Sequence, residues 1–414
     1  MRFAHFNCNV EPDIAVFREL DRESRPRGLP VFLQDDPTGF VAQLFIGEQW
    51  VRFPWLRPRQ LEEASFGLDS VVMHADGQMD EIQSRLDNSG IRTDQRQLTV
   101  GDMGGRSQSQ PEIDKILADL ETDTEELLPP DIRDRMRKQM RESMSSFETQ
   151  KLPVMNLDFP TPCRPHFRVK DDLGFPTATP ERENSSALGV FGVSAVELTV
   201  PAEHLEMLIW LWRNLADDRI ERTDQAATVD LGDHTLTLVS SAEPGEVRAR
   251  LHAWTPFSSL AGSRFRVADI EIVTEHDVNP SPFGLRVPWP GSNEPHAARL
   301  VALDEKSFRV VAGDTTGRLP VPFGSVVELG LDRGSVVVTR IVEESRWITA
   351  NMHLYEQTVD QAAVDSIGQA VLAAGGTFHQ KAEFGQQSIL LHYLPGSRPD
   401  PVEALRRLGF HRTH

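Results

Sequence analysis

The chain has 414 residues, 39% of them hydrophobic and 25% charged, so several cores are expected at roughly one per 150 residues, and global disorder is excluded. Its formal net charge of −19 repels polyanions, which excludes nucleic acid and anionic membrane from the expected partners. Its two cysteines, Cys8 and Cys163, are far apart and form no Cys-x-x-Cys pair, against a disulfide framework or a thiolate zinc site.

The opening MRFAHFNCNV lacks the long apolar core of a signal peptide. The densest apolar run, Met207 to Trp212, is far shorter than the ~20 residues that cross a bilayer. The chain therefore reads as soluble and cytoplasmic. Within residues 1–110, FVAQLFIGEQWVRFPW is expected to be a hairpin turning at Gly47 and Glu48. FGLDSVVMHADGQMDEIQSRLDNSGIRT is expected to run strand, helix, turn, strand, with Met79, Ile82 and Leu86 at helical spacing and Gly90 as C-terminal cap. Together these make a small α+β domain.

Residues 111–150 are expected to form an inserted, charged helical hairpin. Ile116 and Leu120 mark its acidic arm; Met136, Met140 and Met144 mark its basic arm, broken from the first by Pro129 and Pro130. The methionine stripe is a hairpin seam or, alternatively, an adaptable partner-binding face. Pro-rich connections follow at 151–186 and 276–297. Both are open to two readings, flexible linkers or packed arms, because Phe159, Phe167, Phe175, Phe283 and Trp289 give them unusual aromatic content.

Between them, in 187–275, SAVELTVPAEHLEMLIWLWRNL is a strand running into a helix. Ser194, Val196, Leu198 and Val200 share the expected core face, with Val193, Ala195, Glu197 and Thr199 opposite. Leu205, Leu208, Ile209, Trp212 and Leu215 follow the helical period. Trp210 falls on the polar side of that helix, so a second segment is expected to cover it, and it is a partner-binding candidate. ATVDLGDHTLTLVSS is a hairpin turning at Gly232 and Asp233. From 298 to 414 the order β-β-β-α-β-β-α suggests a ferredoxin-like domain, with Asp400 capping the last helix ahead of Pro401 and the terminal HRTH reading as a frayed end. The fold class is therefore α+β: several small modules of mixed or antiparallel sheets with packed helices, ferredoxin-like toward the C-terminus, plus the helical hairpin.

Residues 190–273 resemble one βαβββ half-module of the vicinal-oxygen-chelate superfamily, the glyoxalase and extradiol-dioxygenase relatives, with no clear second half-module in the sequence. The resemblance covers about a fifth of the chain. In that family a metal is held by His, Gln or Glu on strands of paired modules, typically with a histidine early in the first strand. Ala195 occupies that place here. The resemblance implies Glu197, His234, His252 and Glu271 as the metal candidates, while His234 beside a turn and His252 between Leu251 and Ala253 also have purely structural readings. The C-terminal third is also similar to a small bacterial domain family of unknown function, through RLPVPFGSVVELGLDRGSVVVTRIVEES.

Elsewhere GDMGGRSQSQ lacks the Lys-Ser/Thr of a phosphate-binding loop, GDTTG at 313–317 is a turn, and Gly-x-Ser-x-Gly and His-Glu-x-x-His runs are missing. The expectation is a multidomain protein that binds a protein partner or small ligand without catalysis, cofactor or metal. The alternative is a divergent metal-dependent enzyme of the vicinal-oxygen-chelate type. The sequence assigns no oligomeric state.

Overall fold

The computed structural model describes residues 2–10, 13–36, 39–54, 67–75, 79–90, 92–99, 151–158, 165–170, 185–216, 219–243, 247–290, 295–313, 321–354, 359–383 and 386–413. The expected helical hairpin, with Met136, Met140 and Met144, lies outside them. The chain divides into two compact units, one from Met1–Gln97, Leu152–Val311 and Val327–Val342, the other from Leu98–Lys151, Ala312–Val326 and Glu343–His414.

The first unit repeats one supersecondary pattern. Strand β1 (Arg2–Asn9), helix α1 (Ile14–Ser24), and strands β2 (Val31–Asp36), β3 (Gly39–Ile46) and β4 (Gln49–Phe53) form a βαβββ module whose last strand returns to pair parallel with its first. The pattern recurs in β5 (Gly67–His74), α2 (Met79–Asn88), β6 (Arg92–Thr99), β7 (Lys151–Asp158) and β8 (His166–Lys170), with β8 parallel to β5. Antiparallel pairing of β1 with β5 joins the two modules into an eight-stranded sheet ordered β2-β3-β4-β1-β5-β8-β7-β6.

The second sheet is built on the same plan. Strand β9 (Gly192–Pro201), helix α3 (Ala202–Ala216), and strands β10 (Ile220–Arg222), β11 (Ala226–Asp230) and β12 (Thr235–Ser241) form a complete module, again with parallel first and last strands. Its companion is abbreviated: β13 (Arg248–Thr255), β14 (Arg264–Val267) and β15 (Ile270–His276), with β13 parallel to β15 and a turn over 256–263 where the other modules have a helix. Antiparallel β9 and β13 make the join, and the order is β10-β11-β12-β9-β13-β15-β14. The second half-module that the sequence left unidentified is therefore present in shortened form, and modules are paired in both sheets.

The helix-facing sides of both sheets share one apolar core. The helical stripe read from the sequence is its centre: Leu205, Leu208, Ile209, Trp212 and Leu215 are all buried, and Trp212 meets Phe167 of β8 edge-on at 5.6 Å. One detail of β9 differs from simple alternation. Its register with β13 shifts between His252 and Ala253, so Ser194 falls in a bulge and Val193, not Ser194, turns inward. The turn at Gly47 has φ of +62° and packs so tightly that a Cβ there would overlap the Phe191 carbonyl, which requires glycine.

A third sheet, β16 (Phe283–Pro288), β17 (Pro295–Ala302), β18 (Ser307–Gly313), β19 (Val326–Asp332) and β20 (Ser335–Glu343), follows in that spatial order. Phe283 stacks on Phe191 at 4.1 Å, and Trp289 is buried with its indole N–H donating to the His296 carbonyl. The described part of the second Pro-rich stretch is thus a packed strand.

In the second unit, β21 (Ile348–Leu354), α4 (Gln361–Ala373), β22 (Thr377–Glu383), β23 (Gln386–Tyr393), α5 (Pro401–Arg407) and β24 (His411–Thr413) form an antiparallel sheet ordered β22-β23-β21-β24. This βαββαβ order is the ferredoxin-like arrangement. Asp400 caps α5 through the amides of Val402 and Glu403, as its place before Pro401 implies. The terminal residues 411–413, expected to fray, instead pair with β21 as an edge strand.

Candidate functional site

Each of the first two sheets has a polar face opposite its core face, and cross-strand register sets which side chains meet there. On the second sheet one transverse row runs Thr228, Thr237, Glu197, Arg250, Glu271, Arg266 through successive strands. Arg250 donates from one guanidinium nitrogen to Glu197 at 3.1 Å and from Nε to Glu271 at 2.6 Å. Glu197 therefore pairs with its in-register neighbour on β13. The hydrogen bond from Arg250, with Arg264 and Arg266 adding their charge, holds the Glu271 carboxyl below the usual carboxylate range, and the same bond raises the Arg250 guanidinium.

The four metal candidates do not converge. Glu197 and Glu271 come together, but around a guanidinium that fills the space between them. His252, in register with Ala195, turns Nδ1 to Glu275 at 2.8 Å. His234 is buried, bonds the Val193 carbonyl through Nδ1 at 2.8 Å and lies edge-on to Phe3, and burial pushes its pKa down. Among the described residues no group of three or more His, Cys, Asp or Glu side chains is placed to hold a metal. A divalent cation repels a fixed guanidinium at this range, so this donor set does not fit one.

The first sheet's polar face has a different composition. One row runs Phe32, Gln43, Arg52, Asn7, Ser70, His166. The next runs Phe45, Trp50, His5, Val72, Arg168. None of the residues named in these two rows is a carboxylate. Gln43, Ser70, Phe45 and Val72 are buried, and His5, Asn7, Trp50, Arg52 and His166 are half-buried. Asn7 Nδ2 donates to the Ser70 hydroxyl at 2.9 Å, and the His5 and Trp50 rings lie parallel, 5.1 Å apart. Gln43 keeps only 7% of its surface exposed, and its Oε1 has no hydrogen-bond partner. These residues were not singled out from the sequence; the alternating Gln43, Phe45 and Trp50, Arg52 around the Gly47 turn was the available signal.

Trp210, the partner-binding candidate, keeps 41% of its surface exposed. The second covered side expected of its helix is not found among the described residues: its buried residues, Leu205, Leu208, Ile209, Leu211, Trp212 and Leu215, belong to the shared core, and its end touches α2, where the Ser89 hydroxyl bonds Asn214. Also among the described residues, no helix is long and apolar enough to cross a membrane.

No family model matches the chain. No curated protein matches it. Solved structures do: a catechol 2,3-dioxygenase at 10% identity and TM-score 0.36, covering 73% of this chain and 84% of that one; the 2,2',3-trihydroxybiphenyl 1,2-dioxygenase of the dibenzofuran-degrading Sphingomonas wittichii strain RW1, at 10% and 0.36, covering 67% and 92%; and the Mn(II)-bound glyoxalase of Novosphingobium aromaticivorans, at 11% and 0.36, covering 67% and 82%. These are vicinal-oxygen-chelate superfamily members, the family that residues 190–273 resemble. At such identities and TM-scores the likeness carries no argument about chemistry.

Proposed function

We propose that this chain is a small-ligand-binding protein on a doubled βαβββ scaffold and that it runs no metal-centred reaction. The observation supporting this is Arg250, a permanent cation bonded to both carboxylates that a metal on the second sheet would need. On that face the charges of Glu197, Arg250 and Glu271 satisfy one another, whereas on the first sheet the buried Gln43 Oε1 has no hydrogen-bond partner. The test is elemental analysis of untagged protein equilibrated with zinc, manganese and iron salts. Trace, substoichiometric metal is expected. About one ion per chain, lost in Glu197→Ala or His252→Ala, would overturn the reading.

A second reading, a divergent metal-dependent enzyme of the vicinal-oxygen-chelate type, is favoured by the convergence of Glu197 of β9 and Glu271 of β15 from either side of β13. It requires Arg250 to swing away, and the same analysis separates the two.

A further inference from the structure

Helix α3 carries a stripe that the shared core does not use. Glu203, Glu206, Trp210 and Arg213 are all exposed on the side away from its buried residues. Their spacing alternates between three and four residues, which sets them in one nearly straight row down the helix, the geometry of a helix-helix seam. Trp210 stands in that row with 41% of its surface exposed, and an indole left in water favours any arrangement that covers it. The charges of the row are segregated. Both glutamates lie toward the N-terminal end and Arg213 lies in the last turn. Glu203 and Arg213 are separated by about 15 Å along the axis, too far to pair with each other. Between them Glu206 is held by two guanidinium nitrogens of Arg222 from β10.

We propose that this stripe is a homodimer contact, with α3 of a second copy lying antiparallel across it about a two-fold axis. A two-fold contact brings one patch against itself, so the patch must be self-complementary. The order of residues meets that condition. Aligning Glu203 with Arg213 of the second copy also aligns Arg213 with that copy's Glu203, and it sets Trp210 against that copy's Glu206. Each indole then covers the other copy's Glu206–Arg222 pair, whose guanidinium offers a cation to the ring face. Antiparallel packing also brings opposite ends of the two helix dipoles together. A parallel arrangement would set Glu203 on Glu203 and Arg213 on Arg213, which like-charge repulsion disfavours. One pair of short helices buries less than the ~800 Å² per partner of a standard interface, so the dimer is weak, with a Kd on the order of 10 to 100 µM. The inference stands independently of the ligand reading above.

Sedimentation velocity of the full chain, from about 1 to 500 µM, is the test. The wild type is expected to pass from monomer to dimer across that range. Trp210→Ala and Glu203→Arg should each weaken association about tenfold, because every change acts twice in a two-fold contact. The altered positions are exposed, so the variants are expected to fold, which circular dichroism checks. The charge-swapped chain, Glu203→Arg with Arg213→Glu, should recover the wild-type affinity, as only an antiparallel meeting of these two positions allows. A monomer at every concentration overturns the proposal, whatever else covers Trp210. So does a dimer indifferent to Trp210→Ala, or a charge-swapped chain that associates no better than Glu203→Arg alone.

Discussion

At the join between its modules the first sheet sets Asn7 against Ser70, and the second sets Glu197 against Arg250. The strands meet in the same antiparallel way, between the same module positions, yet one join is a neutral hydrogen bond at 2.9 Å and the other an ion pair at 3.1 Å that continues to Glu271. A row of alternating charges completes itself and needs nothing from outside. On the first sheet the buried Gln43 keeps an acceptor without a hydrogen-bond partner. Duplicating a scaffold therefore does not duplicate a site; what the cross-strand rows hold decides it.

The largest effect is expected where the two sheets are alike, in their common core. Trp212→Ala should destabilise the chain by about 3 to 5 kcal/mol in denaturant unfolding, because a fully buried indole packed on Phe167 leaves a cavity at the centre of the shared core. A loss below about 1 kcal/mol would mean that the core face is not continuous.

Next comes the charge row. Arg250→Met leaves two half-exposed glutamates facing each other, and since the pair is partly in water the expected loss is only about 1 kcal/mol. Its pH dependence is more diagnostic. Glu271 is held below its ordinary range, so its contribution is complete above the unfolded carboxylate pKa of about 4 and is lost as pH falls through the lower folded value. Unfolding measured between about pH 6 and 3 should fall more steeply for wild type than for Arg250→Met. Parallel curves would show that the row does not stabilise the fold.

A smaller difference tests the first sheet without any ligand. Gln43→Leu should leave the melting temperature unchanged or raise it slightly, because it removes an unsatisfied buried acceptor. A clear drop would mean that Gln43 has a structural partner. The least change is expected at Cys8, which burial, together with the nearby Asp269 and Asp69 charges, pushes up to about 12. It should stay unmodified by iodoacetamide at pH 8 in the folded chain, and rapid labelling would show that the β1 strand opens.

The amphipathic stripe of α3, the hairpins at Gly47 and Gly232, and the Asp400 cap were legible because each is local: a period, a turn residue, a side chain reaching two residues on. The repetition of modules was not. It depends on a parallel return of the last strand to the first, which leaves no residue signature, and in the second module 51 residues separate β6 at Thr99 from β7 at Lys151. The weak metal candidates were found by residue type, but Arg250 was passed over, since only register shows that it stands between Glu197 and Glu271. Gln43 reads in sequence as an ordinary outward strand residue, and its burial is a tertiary fact.

The central claim is that Arg250, bonded to Glu197 and Glu271, closes the second sheet's polar face to a metal. Arginine Nε–H spectra of the full chain, recorded with increasing zinc, test it. The account expects the Arg250 resonance, its Nε–H bonded to Glu271, to stay in place. A saturable shift at Arg250 would contradict it.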